Sequence, residues 1–224
     1  MKEYFKRQIQ LWGEETQNSL IDKKIAIIGC GGLGSSVGIA LGSSGIGKIY
    51  LVDFDKVAFH NIHRQIAYKL DDEGKFKAQV LAKFIEARSP FVKAYAYNES
   101  FNEFKKRDLK YDLIIDCTDN LQSRVEIDEY SKKIKTPWIY GSVEEFNAQV
   151  CFFDKSSFKA FKISKRAPAG IATPIVMLVA SFQSNLAIRY LANLPIKKDF
   201  LYYFYFNGSG ELIIDKFLMP TMAS

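Results

Sequence analysis

The chain has 224 residues, 48% hydrophobic and 25% charged, a balance that excludes a disordered or fibrous protein and leaves enough apolar material for one substantial core. The formal charge of +6 suits a protein that handles anions, but the basic runs at 105–107, 132–135 and 155–166 are scattered and form no groove-reading module, which disfavours nucleic acid as a partner. Three cysteines, Cys30, Cys117 and Cys151, with no CxxC spacing, argue against a disulfide framework or a thiolate zinc site and fit a reducing cytoplasm.

The N-terminal MKEYFKRQIQLWGEE has no apolar stretch of the secretory kind. Residues 2–20 read as one helix, because Tyr4, Phe5, Ile9 and Trp12 recur at three- to four-residue spacing. KIAIIG follows as a buried strand, then glycines and a helix through about Ser44, then the strand GKIYLVDFD. A helix over 75–88, the strands VKAYAYN and YDLIIDCT, the helix NLQSRVEIDEYSKKIK and the strand WIYGS after Pro137 continue the alternation. Strands alternating with helices predict an α/β fold, Rossmann-like and doubly wound, with a mainly parallel sheet.

FNAQVCFFD, from Phe146, follows without a helix and is expected to pair antiparallel. A lysine-rich segment at 155–172 precedes Thr173-Pro174, which predicts a helix start with Thr173 as capping hydroxyl and proline at the first helical position. That helix carries Gln183, Asn185 and Arg189 within its apolar run, so it is expected to be a buried amphipathic helix and not a membrane span. Alternating runs on either side of Asn207-Gly208-Ser209-Gly210 predict a terminal hairpin. No repeat or linker divides the sequence, so 1–224 is expected to form one domain, with 25–141 the nucleotide-binding part and 146–224 the antiparallel part.

Gly29, Gly31 and Gly34 satisfy G-x-G-x-x-G between a strand and a helix, where glycines let the backbone turn sharply and approach a phosphate. Asp53 ends the second strand 24 positions after Gly29, placed for ribose hydroxyls. These features do not separate NAD from FAD or ATP. Arg64 and Lys77 follow the second strand, and Asp119 in DCTDN falls at the carboxyl edge of the sheet. Two cations and a carboxylate suit a triphosphate with Mg²⁺, whereas a dehydrogenase has little use for them. Taken singly, Arg64 reads equally as a surface residue and Asp119 as the cap of the helix before Leu121. His60 and His63, with no third ligand near, read as surface or packing residues.

The order RQIQLWG, GCGGLG, VDFD, NIHRQ, GKFKA, DCTDN resembles the ThiF/MoeB/HesA family of adenylyltransferases, the bacterial relatives of ubiquitin-activating enzymes. The resemblance implies binding of ATP and Mg²⁺ and adenylation of the C-terminal glycine carboxylate of a small ubiquitin-fold sulfur carrier ending in Gly-Gly, in thiamine or molybdopterin biosynthesis. By the same resemblance Gly29, Gly31, Gly32 and Gly34 cradle the nucleotide and Asp53 takes the ribose. Asn61 and Arg64 contact phosphates, Gln65 shapes their turn, Lys77 neutralises charge growing on the α-phosphate, and Asp119 holds Mg²⁺, with Asp55 a partner behind them. The family counterpart of Arg7 reaches into the partner subunit's site, which implies a homodimer. A tRNA-modifying dehydratase of the same superfamily, a non-catalytic half and an NAD-dependent oxidoreductase are the competing readings.

The sequence also departs from the family. Many members hold a structural zinc with two CxxC pairs; here the first region reads FKAFKISKR and no CxxC occurs, so no zinc is expected and 155–172 is expected to be mobile or ordered by a partner. The position of the cysteine some relatives use for a covalent carrier link falls on or beside Arg166, and no cysteine lies between 152 and 224. The chemistry is therefore expected to stop at the acyl-adenylate, with sulfur from a separate donor and no rhodanese-like domain. All three cysteines read as packing residues. Phe153, Phe158 and Phe161 are candidates for a carrier-binding groove, against the alternative that they are core.

Overall fold

A computed structural model describes residues 1–161 and 169–221; Arg166 and the middle of the lysine-rich segment lie outside the described residues. Eight strands form one sheet: β1 (Lys24–Ile28), β2 (Lys48–Val52), β3 (Lys93–Tyr97), β4 (Leu113–Asp116), β5 (Trp138–Glu144), β6 (Asn147–Phe153), β7 (Phe200–Phe206) and β8 (Leu212–Leu218). Their order is β3-β2-β1-β4-β5-β6-β7-β8. Pairs among β1 to β5 are parallel, and β5 to β8 are antiparallel. The chain winds outward from β1 through β2 to β3, then returns to place β4 on the other side of β1. The crevice between the carboxyl ends of β1 and β4 is thus a topological switch point, where open α/β sheets bind ligands.

The helices are α1 (Lys6–Trp12), α2 (Glu14–Leu20), α3 (Gly32–Ser43), α4 (Lys77–Arg88), α5 (Phe101–Phe104), α6 (Leu121–Ile134) and α7 (Thr173–Leu191). Alternating side chains on the strands feed two cores. Ile25 and Ile27 join Leu41, Leu81, Val176 and Val179 on the face carrying α3, α4 and α7. Ala26 and Ile28 join Phe101, Phe104, Ile127 and Trp138 on the face carrying α5 and α6. Phe153 and Phe158, 1% and 2% exposed, belong to this second core, and Phe161 packs against it. Phe153 and Phe158 are thus core residues. Exposed apolar side chains lie instead at Phe146, Phe206, Leu212, Ile214, Phe217 and Leu218, by the β5–β6 turn and along β7 and β8.

Two local expectations are corrected. The single helix over 2–20 is two, broken at Gly13, whose φ of +85° lies in the left-handed region. The break lets Phe5 bury against Phe91 and Gly45, while Gln17 gathers Gln8 and Trp12 and donates to the Ser44 carbonyl. Thr173 is not a cap: Ala172 occupies that position, Thr173 is the first helical residue, and its hydroxyl donates to the His63 carbonyl at 2.8 Å. At the start of the lysine-rich segment Asp199 anchors 154–156, accepting from the N–H groups of Asp154, Lys155 and Ser156 and from the Ser156 hydroxyl; 162–168, in the middle of the stretch expected to be mobile, lie outside the described residues. The short helix α5, unforeseen from the apolar pattern, is closed by a capping box between Ser100 and Glu103.

The Asp199 anchor is testable. Burial by itself raises its pKa, but the Ser156 hydroxyl and the three backbone N–H groups outweigh this and hold the carboxyl below its ordinary range. Its contribution is therefore present above the unfolded carboxylate pKa and is lost as pH falls through the depressed folded value. Asp199→Ala should cost about 2 kcal/mol at neutral pH by leaving buried N–H groups unpaired. In urea denaturation the gap from wild type should narrow below about pH 4, and a gap that does not depend on pH would contradict the anchor.

Candidate active site

Two loops meet at the switch point. The Cys117 N–H donates to the Ile28 carbonyl and the Gly29 N–H to Val52, so the chain leaving β1 runs against the chain leaving β4. A Cβ on Gly29, whose φ is +90°, would lie 2.7 Å from the Cys117 carbonyl oxygen, and one on Gly34 would overlap the Gly29 carbonyl oxygen. A Cβ on Gly32 would lie 2.9 Å from Val176 Cγ1. Packing alone demands these three glycines. Gly31 is different: a Cβ there meets only Gln65 Nε2, at 3.5 Å. No neighbouring atom crowds residue 31, where the chain turns into α3 and its free N–H groups gather. Beside it Gln65 is buried, with an Oε1 that has no hydrogen-bond partner. An open glycine and an orphaned acceptor fit a polar ligand that approaches the backbone, as a nucleotide does.

Asp53 lies beneath this loop. Its Oδ2 accepts from the Cys30 N–H at 2.6 Å and its Oδ1 from the Asp55 N–H at 2.7 Å. Burial raises its pKa, against the pull of those two N–H groups and of Lys77. A carboxylate has further lone pairs, so a ribose could still be accepted. Cys30 is fully buried, and burial followed by the charge of Asp53 pushes its thiol well above the ordinary range. Its carbonyl accepts from the hydroxyl of Tyr68, a strut that the irregular run IAYKL does not advertise.

Lys77, the first residue of α4, is 5% exposed. Its Nζ pairs with Asp55 at 2.9 Å and its N–H donates to the Asp55 carbonyl at 3.0 Å. Asp55 thus holds Lys77 and faces water with about half its side chain. Asn61 is buried, and its carbonyl accepts the N–H groups of Arg64 and Gln65. Arg64, partly exposed, reaches the His60 carbonyl at 3.2 Å and His63 Nε2 at 2.9 Å and has no acidic partner among the described residues. Asp119 is exposed and likewise unpartnered among them. The cap of α6 is Asn120, whose side chain accepts from Gln122 and Ser123, so the capping alternative for Asp119 is ruled out.

Arg7 is not brought to this site within one chain. It is exposed, hydrogen-bonded to Gln10, next to Gln8, which bonds the Ser44 carbonyl. Ser44 closes α3 at the end away from the glycine loop, about 18 Å along a 12-residue helix. The sequence reading also missed the floor of the site. There Asp116 and Arg124 form a buried ion pair at 3.2 Å and Gln183 donates to the Asp116 carbonyl; Arg124 sits in QSRVEIDEY, where it reads as one more helix-surface cation. Cys117 and Cys151 are buried and, like Cys30, have thiols pushed up chiefly by burial. No helix among the described residues is long and apolar enough to cross a membrane.

The sequence matches the ThiF family model over residues 5–217. "Adenylyltransferase and sulfurtransferase MOCS3" of Caenorhabditis briggsae is 29% identical over 197 residues, covering 82% of this chain and 49% of that protein. "Sulfur carrier protein ThiS adenylyltransferase" of Escherichia coli K12 is 27% identical over 190 residues, covering 80% and 76%. The chain spans about half the length of the first of its curated relatives. Among solved structures, E. coli MccB with ATP superposes with a TM-score of 0.82 at 21% identity, covering 92% of this chain and 66% of that one, a likeness of fold.

Proposed function

The chain belongs to the ThiF family, and from that premise we propose that it is an ATP-dependent adenylyltransferase. Its substrate is the C-terminal glycine carboxylate of a small ubiquitin-fold sulfur carrier ending in Gly-Gly, in thiamine or molybdopterin biosynthesis. What supports this reading is that the glycine loop has the Arg64 backbone beside Gly32 and Cys117, two residues before Asp119, against Gly29, while the buried Lys77 acts on Asp53 beneath the loop. A bare nucleotide-binding scaffold needs the glycines but not this set of charges.

In this reading the loop of Gly29, Gly31, Gly32 and Gly34 takes the nucleotide, Asp53 the ribose, and Asn61 and Arg64 the phosphates, with Gln65 shaping their turn. The carrier carboxylate attacks the α-phosphorus, the bond to pyrophosphate breaks, and Lys77 offsets the charge that grows as this happens. Asp119 is a hard oxygen donor suited to Mg²⁺. That ion would neutralise charge on the departing pyrophosphate. The three buried, protonated thiols support a chemistry that ends at the acyl-adenylate. They also suit a reducing compartment, which we take to be the cytoplasm. We read 1–224 as one adenylation domain, and the exposed apolar side chains at Phe146, Phe206 and Leu212, which share one face of the sheet, as the resting place of the carrier body.

ATP–pyrophosphate exchange with candidate carriers tests the reaction: exchange should require an intact Gly-Gly end, and its absence with every such carrier would refute the reading. We further propose a homodimer in which Arg7 completes the partner's site, since no Arg7 can reach its own. Arg7→Ala and Lys77→Met should each be inactive, yet activity should return when the two are mixed and allowed to exchange subunits. Mixtures that stay inactive despite exchange would contradict catalysis in trans.

A further inference from the structure

Asp119 takes its place from residues that carry no role in the chemistry above. Asp116, at the end of β4, is fully buried and accepts from Arg124 Nε at 3.2 Å, from the Thr118 N–H at 3.0 Å and from the Thr118 hydroxyl at 2.7 Å. Arg124, in the first turn of α6, also donates through Nη2 to the Thr118 carbonyl at 2.7 Å and reaches the Gly141 carbonyl at 3.4 Å. Its guanidinium lies 5.1 Å from the Tyr140 ring centre. On the far side of Asp119, Asn120 is fixed by capping α6. Both neighbours of Asp119 are therefore held, and its carboxylate has no partner among the described residues.

Stability alone is a poor reason for this arrangement. Desolvating a carboxylate and a guanidinium is costly, and well-packed apolar side chains of the same volume commonly hold a fold as firmly. What the pair supplies is direction. A planar fork reaches a carboxylate and a backbone carbonyl through separate nitrogens in one fixed geometry, whereas a lysine ammonium is a single flexible point charge.

We propose that Arg124 is a positioning residue: anchored on Asp116, it sets the path of 117–120 so that Asp119 meets the metal–pyrophosphate end of a bound nucleotide. This rests on the adenylation reading. The test measures ATP binding by calorimetry with Mg²⁺ and with a chelator. Wild type should bind more tightly with Mg²⁺, and Asp119→Asn should lose that gain. Arg124→Lys should reduce the gain about tenfold, in line with losses seen when supports of metal ligands are removed, while keeping its metal-free ATP affinity. Gln122→Ala, an exposed change on the same helix, should leave the gain intact. A full gain in Arg124→Lys overturns the proposal, as does an equal loss of affinity with and without metal. If Arg124→Lys does not fold, Thr118→Val, which deletes one hydroxyl of the network, decides: an undiminished gain overturns the positioning role. A wild type that binds no ATP overturns the adenylation reading itself, a failure distinct from normal behaviour in the variants.

Discussion

Lys77→Met should slow adenylation by about 10²- to 10³-fold, the usual cost of deleting one preorganised electrostatic contact to a transition state, while ATP binding weakens far less. Burying an ammonium is expensive, so a position that served only packing would hold an apolar residue. Lys77 nonetheless sits at the core-facing start of α4, 5% exposed, with one carboxylate, Asp55, against it. Methionine keeps the stem's volume and removes only the charge, and the Asp55 left behind is half exposed and readily hydrated. The loss should fall on kcat and kcat/KM alike, the mark of an interaction realised in the transition state. An unchanged kcat with raised KM for ATP would make Lys77 a binding residue only.

Gly34→Ala should cost about 3 kcal/mol of stability, because its Cβ would overlap the Gly29 carbonyl oxygen, and backbone on both sides cannot yield. Gly31→Ala makes the contrast. Its Cβ meets only a side-chain nitrogen at 3.5 Å, so the fold should lose less than in Gly34→Ala while nucleotide affinity drops, the methyl occupying the approach to the phosphates. Thermal denaturation alongside ATP titration separates the two. If Gly31→Ala binds ATP as wild type does, the nucleotide does not lie on that residue.

The parallel half of the fold was legible because β1, β2 and β4 are short apolar runs buried on both faces, and Gly, Asn and Pro punctuate the strands where the chain turns. The N-terminal break was not legible: Tyr4, Phe5, Ile9 and Trp12 keep helical spacing in register, and what bends the chain is the distant demand of Phe5 for the space beside Gly45. Thr173 followed by proline spells a cap, yet its hydroxyl serves the His63 carbonyl across the fold, a partner 110 positions away that no local pattern encodes. Arg64, Lys77 and Asp119 stood out only as a set, two cations after the second strand and a carboxylate after the fourth, because together they suit a triphosphate with its metal. Asp116 and Arg124 did not, since a pair that satisfies itself leaves no trace in composition, and Phe153 and Phe158 stayed open between groove and core because an aromatic residue looks alike in both.

The meeting of β5 and α7 constrains how this sequence can change. A Cβ on Gly141 would run into the Gln183 amide, so any larger residue at 141 needs a smaller one at 183. Shrinking Gln183 removes the donor to the Asp116 carbonyl, in the segment that leads to Asp119. Neither position can drift by a single step without disturbing the other. Across homologous sequences the two should co-vary or stand still together, a trace readable without solving another structure.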